Sequence, residues 1–373
     1  MNCKKALLLL FFVYTYTTGF TQIKPVSDSL IEKKNIIDKT LDLFEYNAGR
    51  VSISVYPLMS LDPGSGWSFG TMPVITISPK KISDFYRPTS IVNHFSYSTE
   101  KWLNLKSDVL LYTHHGNEIK FFVQYTSAPD KFYGIGQTKR NYEPTTYSLK
   151  EFKIRGNISK DITKSLYIGL ILDISHIEIS GIESFSQKNN FIGGAGPQIS
   201  YDTRDNINYP SQGIYIASNA MWFPPTITDG YEFGTLELDI RKYHTLYKDI
   251  IGAIQLFNGF SQGDTPFYYL YQLGGKTRMR GISNKNLYIN NNSVYLQGEL
   301  RKHVWNRFGF AVFGGLGNAY SSINTFEPAH TKYIYGAGLR FQTNKRDKLN
   351  LRIDYGRGSY NDSGIYITMR EAF

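Results

Sequence analysis

The chain has one cysteine in 373 residues, Cys3, so neither an internal disulfide nor a cysteine-built metal site is available to it. Charge is scarce as well: Asp, Glu, Lys and Arg make up 19%, against about 25% in ordinary soluble domains. Beyond the N-terminus no apolar run reaches the roughly eighteen residues that a membrane-spanning helix needs, so any membrane crossing must be made by strands. Catalytic signatures are missing too. There is no G-x-S-x-G elbow, no H-E-x-x-H pair and no Walker or dinucleotide glycine pattern. His114 and His115 are adjacent, and successive side chains of a strand point to opposite faces, so they are poorly placed to share a metal. Asp202 and Asp205 flank Arg204 in a turn, where salt bridges explain them better than paired acid–base chemistry. The expectation is of a protein that is not an enzyme and that needs no cofactor and no metal.

What the chain does have is aromatic residues and glycine: 29 Tyr, 24 Phe and 33 Gly, a mixture suited to pleated surfaces and tight turns. The first residues have the form of a secretory signal. Lys4 and Lys5 precede the apolar stretch Ala6 to Val13, and Thr17, Thr18 and Gly19 follow, which predicts a signal peptide over residues 1–21. Cys3 lies before the apolar stretch, not after it, so it is not placed as a lipoprotein anchor. In residues 22–50, Leu30, Ile31, Ile36, Ile37, Leu41 and Phe44 recur at helical spacing, as in a periplasmic leader or a short amphipathic helix. The net charge is +10, but the basic residues are dispersed and alternate with apolar ones. In a secreted chain that argues against nucleic acid as a partner.

From Val51 to the last residue the periodicity is two. Leu349, Leu351, Ile353 and Tyr355 share one face, with Asn350, Arg352 and Asp354 on the other. Leu166, Ile168, Leu170, Leu172 and Ile174 alternate likewise with Tyr167, Gly169, Asp173 and Ser175, broken only by Ile171. Such strands bury their apolar face either inward, in a soluble barrel or sandwich, or outward, in a membrane barrel. Arg, Asp, Gln and Gly on the polar faces suit a hydrated lumen. Aromatic residues near strand ends suit interfacial girdles. Sixteen segments are predicted: 51–57, 67–78, 89–99, 102–114, 118–127, 146–157, 164–175, 192–203, 213–223, 233–243, 250–260, 293–303, 307–318, 332–342, 348–356 and 364–373. The predicted fold class is an all-β, 16-stranded antiparallel transmembrane β-barrel over residues 51–373.

The connection from Gly263 to Asn292, between the eleventh and twelfth segments, is long enough to be functional. Gly274, Gly275 and Gly281 permit tight backbone paths there, and Arg280 needs an acidic partner if it is buried. Glu299 shares a polar face with Tyr295, Gln297 and Arg301, so it should point into the lumen and pair with Arg280.

The stretch Leu273-Gly274-Gly275-Lys276-Thr277-Arg278-Met279-Arg280-Gly281 resembles the inward-folded loop motif of a known superfamily. It is that of the outer-membrane insertases and two-partner-secretion transporters, the BamA, TamA and FhaC type barrels, also called the bacterial surface antigen family. Three stretches agree with it: Tyr201-Asp202-Thr203-Arg204-Asp205 with Pro210 and Gly213, Gly298-Glu299-Leu300-Arg301, and the ending from Ile365 to Phe373. The resemblance implies a loop arginine bonded to inner-wall acids on strands twelve and thirteen, and a terminal aromatic, Phe373, acting as an insertion signal. Gly315 stands where the family usually has an aspartate, so one acid, Glu299, is expected here instead of two. The family's periplasmic POTRA domains are too large for residues 22–50, so the resemblance is to a member without them. It further implies residence among outer-membrane lipids and a role in assembly or translocation of proteins or lipids. A separate periplasmic or outer-membrane partner protein would then capture substrate. A passive channel or scaffold barrel is the alternative reading.

Overall fold

A computed structural model describes residues 44–78, 89–113, 116–136, 143–182, 189–345 and 348–373. The chain divides into residues 1–40 and 41–373, and every described residue belongs to the second unit. The signal peptide, most of the leader segment and the His114–His115 pair lie outside the described residues.

The strands are β1 (Glu45–Ala48), β2 (Val51–Asp62), β3 (Gly66–Ile77), β4 (Thr89–Ser98), β5 (Leu103–Tyr112), β6 (Asn117–Phe132), β7 (Thr145–Thr163), β8 (Leu166–Ser180), β9 (Asn189–Asp202) and β10 (Gly213–Phe223). They continue with β11 (Phe233–Tyr247), β12 (Ile250–Gly263), β13 (Tyr271–Gln272), β14 (Ile289–Asn290), β15 (Asn292–Trp305), β16 (Phe308–Tyr320), β17 (Lys332–Asn344), β18 (Leu349–Gly358) and β19 (Ser363–Met369). All but β13 and β14 form one 17-stranded antiparallel sheet. Each of the segments expected from alternation overlaps a strand of this sheet, though the last, 364–373, runs past the end of β19. The seventeenth, β1, lies in the stretch read as leader or helix and instead pairs with β2 as a hairpin, with Glu45 opposite Ser54.

Pairing follows chain order, as expected where short turns return each strand beside its predecessor. β19 runs alongside β2, Gly364 abuts Pro63, and Tyr56, Leu58 and Met72 cluster with Leu349 and Met369.

The burial pattern is inverted relative to a soluble protein. On β8 the apolar row faces out, with Leu170 69% exposed, while Asp173 and Ser175 are fully buried. On β18, Arg352 and Asp354 are fully buried while Ile353 and Tyr355 are exposed. Ile171, the break in the β8 alternation, turns inward to join Ile192, Met221, Phe223 and Phe233. The inner face therefore carries the charge, and it is there that the connection from β12 to β15 packs.

Candidate functional site: a loop locked to the inner wall

The connection 264–291 is pinned at two places on the inner face. Near its start, Phe267 packs with Tyr147, Ile177 and Ile179 of β7 and β8. The Tyr269 hydroxyl donates to Asp173 and shares a hydrogen bond with the Ser175 hydroxyl, both at 2.9 Å, and Lys153 lies 4.7 Å above its ring. Further on, Leu273, Met279 and Ile282 enter a core with Phe257, Tyr295, Phe313 and Ile334. β13 and β14 pair with each other and close this part of the loop into a hairpin-like excursion.

Arg280 sits at the tip, 1% exposed. Met279 at φ +43° and Gly281 at φ +131° turn the backbone sharply on either side of it, a path that glycine takes at little cost. Its guanidinium bonds Glu299 of β15 through Nη2 and Asp354 of β18 through Nη1. Its flat face lies 3.7 Å over the Phe313 ring, a stacking that the delocalised guanidinium favours. The loop backbone is held equally closely. Gln297 accepts from the Met279 amide at 3.1 Å and donates to the Thr277 carbonyl at 3.0 Å. Arg352 donates to the Lys276 carbonyl at 2.7 Å. The Tyr366 hydroxyl accepts from the Gly281 amide at 3.2 Å and donates to the Ile282 carbonyl at 3.0 Å. Glycine is required where the loop meets β18: a Cβ on Gly281 would lie 2.7 Å from the Arg357 carbonyl carbon, and one on Gly356 would strike the Arg280 carbonyl.

The structure thus brings together Arg280, Gly281 and Glu299, with Gly274 and Gly275 at φ +121° and +114° in the same loop. It also corrects the acid count. Gly315 leaves no room for a side chain, since a Cβ there would lie 2.9 Å from the Leu296 carbonyl oxygen. The second acid comes instead from Asp354, two strands beyond β16. Around this pair a larger network closes. Arg340 of β17 bonds Glu299 at 2.9 Å, Asp354 at 2.6 Å and Glu371 at 2.9 Å, and Arg301 bonds Glu299 at 2.8 Å. Four guanidiniums meet three carboxylates in a region shielded from solvent, where an ion left unpaired is costly.

The chain end differs from the last expected segment, 364–373. β19 stops at Met369, Arg370 takes φ +69°, and the last residues turn inward. Glu371 is buried against Arg340 and Asn350. Phe373 is 5% exposed beside Tyr243 and Ala253, and its main-chain oxygen accepts from Arg301 at 3.0 Å. The physical reason is charge: a carboxylate 2.9 Å from Arg340 and 3.8 Å from Arg301 gains more inside than on a lipid-facing row. The signal for this was present, because Arg301, Arg352 and Asp354 already lay on polar faces. Nothing in the spacing shows that β15, β17, β18 and the tail converge.

The other singled-out group is a turn. Arg204 bonds Asp202 at 2.8 Å, while Asp205 accepts from the Ser211 hydroxyl and from the Ser211 and Gln212 amides at 2.9 and 3.2 Å. Burial pushes the Asp205 carboxyl up, but those bonds and nearby Lys348 outweigh it and hold it below the ordinary aspartate value. Among the described residues no group of three His, Cys, Asp or Glu side chains is arranged to hold a metal.

A protein-family model, the Omp85 superfamily domain, matches residues 93–369. The chain belongs to the Omp85 superfamily. Among solved structures it is similar to BamA from Haemophilus ducreyi lacking POTRA domains 1–3, at 13% identity and a TM-score of 0.56, over 87% of this chain and 70% of that one. It is similar to CdiB from Acinetobacter baumannii, at 14% identity and TM-score 0.54, over 86% of this chain. It is also similar to CdiB from Escherichia coli, at 10% identity and TM-score 0.58, over 87%. It spans 60% and 63% of those two CdiB chains. At such identities the likeness is one of fold. No curated protein matches by sequence.

Proposed function

We propose that the sixteen long strands of this Omp85 protein close into a transmembrane barrel in the outer membrane, and that it assists insertion or translocation of proteins or lipids there. The inverted burial supports the membrane setting, since an apolar wall 69% exposed at Leu170 over a charged inner face suits lipid outside and water inside. The observation that carries the role is the loop itself. It crosses from the Asp173 wall to the Arg280–Glu299–Asp354 lock, so a segment anchored at both places lies across the inner face. Substrate capture would fall to a separate partner protein. The proposal gives this chain no chemical step.

A passive channel or scaffold is the second reading, favoured by an inner cavity of about 850 Å³ lined by Lys106, Asp108, Arg155 and Asn157. Planar-bilayer conductance separates the two when combined with outer-membrane proteomics of a deletion strain. The assembly reading expects low conductance from the parent, large conductance after deletion of residues 274–282, and depletion of particular outer-membrane proteins from the strain. Steady conductance by the parent with an unchanged outer-membrane proteome would leave the channel.

A further inference from the structure

The outer wall has a groove where side chains are missing. Gly298 of β15 stands directly opposite Gly314 of β16, and Ile254 of β12 faces Gly298 from the other side. One register step away, Gly252 lies between His244 and Leu300. The resulting depression has a volume of about 480 Å³. Its rim is apolar and exposed: Leu246, Ile254, Leu300 and Val312 are each 43–57% accessible. At one end stand Lys242 and His244 of β11, both exposed, and among the described residues neither has an ion-pair partner.

Position along the strands says what this end meets. Lys242 and His244 precede the tight turn at Lys248 and Asp249. On the same edge Tyr247, Trp305 and Phe308 are exposed, with Trp305 and Phe308 stacked at 6.1 Å. Exposed aromatic rings at strand ends mark a membrane–water interface. Lys242 lies five residues before Tyr247, level with Gly298 across the sheet, and a lysine on the lipid side of the girdle extends its stem toward the headgroups. On a lipid-facing row a cation is unfavourable unless it reaches water or an anion. An apolar trough ending in two unpaired basic groups is complementary to one class of molecule, an amphiphile with a phosphate.

We propose that this groove holds a single anionic glycerophospholipid, of the phosphatidylglycerol type, with an acyl chain over Gly298 and Gly314 and its phosphate at Lys242 and His244. The site rests on the reading of the chain as a membrane barrel. The glycines then have a purpose beyond backbone freedom: the nearest atoms to a Cβ on Gly298 and Gly314 are carbonyl oxygens at 3.6 and 3.5 Å, so larger residues fit and would fill the trough.

The test is native mass spectrometry of the full chain, released from detergent after equilibration with phosphatidylglycerol or phosphatidylethanolamine. One phosphatidylglycerol is expected to be retained over phosphatidylethanolamine by roughly fivefold, the factor that one lysine beside an anionic lipid supplies. Lys242→Gln should abolish the headgroup preference, and Gly298→Leu with Gly314→Leu should abolish retention, while both variants keep heat-modifiable mobility. Equal retention of both lipids by the parent overturns the proposal, as does retention unchanged in the filled-groove variant. A two-chain mass that Gly314→Leu removes would assign the groove to a second copy and also overturn it. Flotation with vesicles is scored separately. A chain that floats yet holds no lipid in the groove refutes the site alone, and one that fails to insert refutes the barrel reading and the site with it.

Discussion

Removing either partner of the Arg280–Glu299 pair should destabilise the loop, but by unequal amounts, and the network dictates the order. In the parent, Arg280, Arg301, Arg340 and Arg352 face Glu299, Asp354 and Glu371, one positive charge in excess. Arg280→Ala brings the cluster to balance. Glu299 keeps Arg301 and Arg340, Asp354 keeps Arg340 and Arg352, and what is lost is two charged bonds and the contact with Phe313. Glu299→Gln keeps the shape but leaves four guanidiniums against two carboxylates, and three of those guanidiniums had bonded Glu299. Breaking a buried pair costs about 3–5 kcal/mol. Glu299→Gln should fall at the top of that range, and Arg280→Ala should cost about 2–3 kcal/mol because its acids remain partnered. The double variant restores the parental excess of one charge, so its cost should fall below the sum by about 1–2 kcal/mol. Global stability would be read from the urea midpoint of the heat-modifiable band in lipid vesicles. Loop docking would be read from tryptic cleavage after Lys276 and Arg278, both exposed beside the buried Met279 and Arg280. A Glu299→Gln protein that is no less stable than Arg280→Ala, or whose loop is cut no faster than the parent's, would refute the charge argument.

Gly281→Ala should undock the loop by about 2–4 kcal/mol, since it combines an unfavourable φ with a close approach to Arg357. Gly275→Ala, with positive φ but open space around it, should cost about 1–2 kcal/mol by the same cleavage assay. Tyr366→Phe leaves the buried Ile282 carbonyl and Gly281 amide without their shared hydroxyl, a loss of about 1–3 kcal/mol in the vesicle urea midpoint. The β9–β10 turn should loosen in acid: Asp205 is held below its ordinary value, so its contribution is full above the unfolded pKa of about 3.9 and fades as pH falls through the lower folded one. Hydrogen exchange at the Ser211 and Gln212 amides should accelerate in that window, and Asp205→Asn should remove the step.

Burial opposes the usual direction in this protein, and that explains why the ionic network can exist. Arg280 is buried at the loop tip, and Arg352 is buried with the loop's Lys276 carbonyl on its guanidinium. The loop and the charges stabilise one another: without the loop the wall is open, and without the wall acids the loop tip carries an unpaired cation.

Alternation was enough to read an all-β antiparallel fold, because side-chain period two is a local property that survives any sheet curvature, whereas β1 and the early end of β19 escaped it. The same local rule set Glu299, Arg301, Arg352 and Asp354 on polar faces, and the need of a buried arginine for an acid made Glu299 the partner for Arg280. Tertiary structure alone decided the rest. Asp354, not a residue of β16, completes the lock because curvature of the sheet carries β18 under the loop tip, and Gly315 is too close to Leu296 to bear a side chain. Glu371 and Phe373 turn inward because Arg340 and Arg301, which stand 31 and 72 residues before them, converge there, a field that no short window of sequence contains.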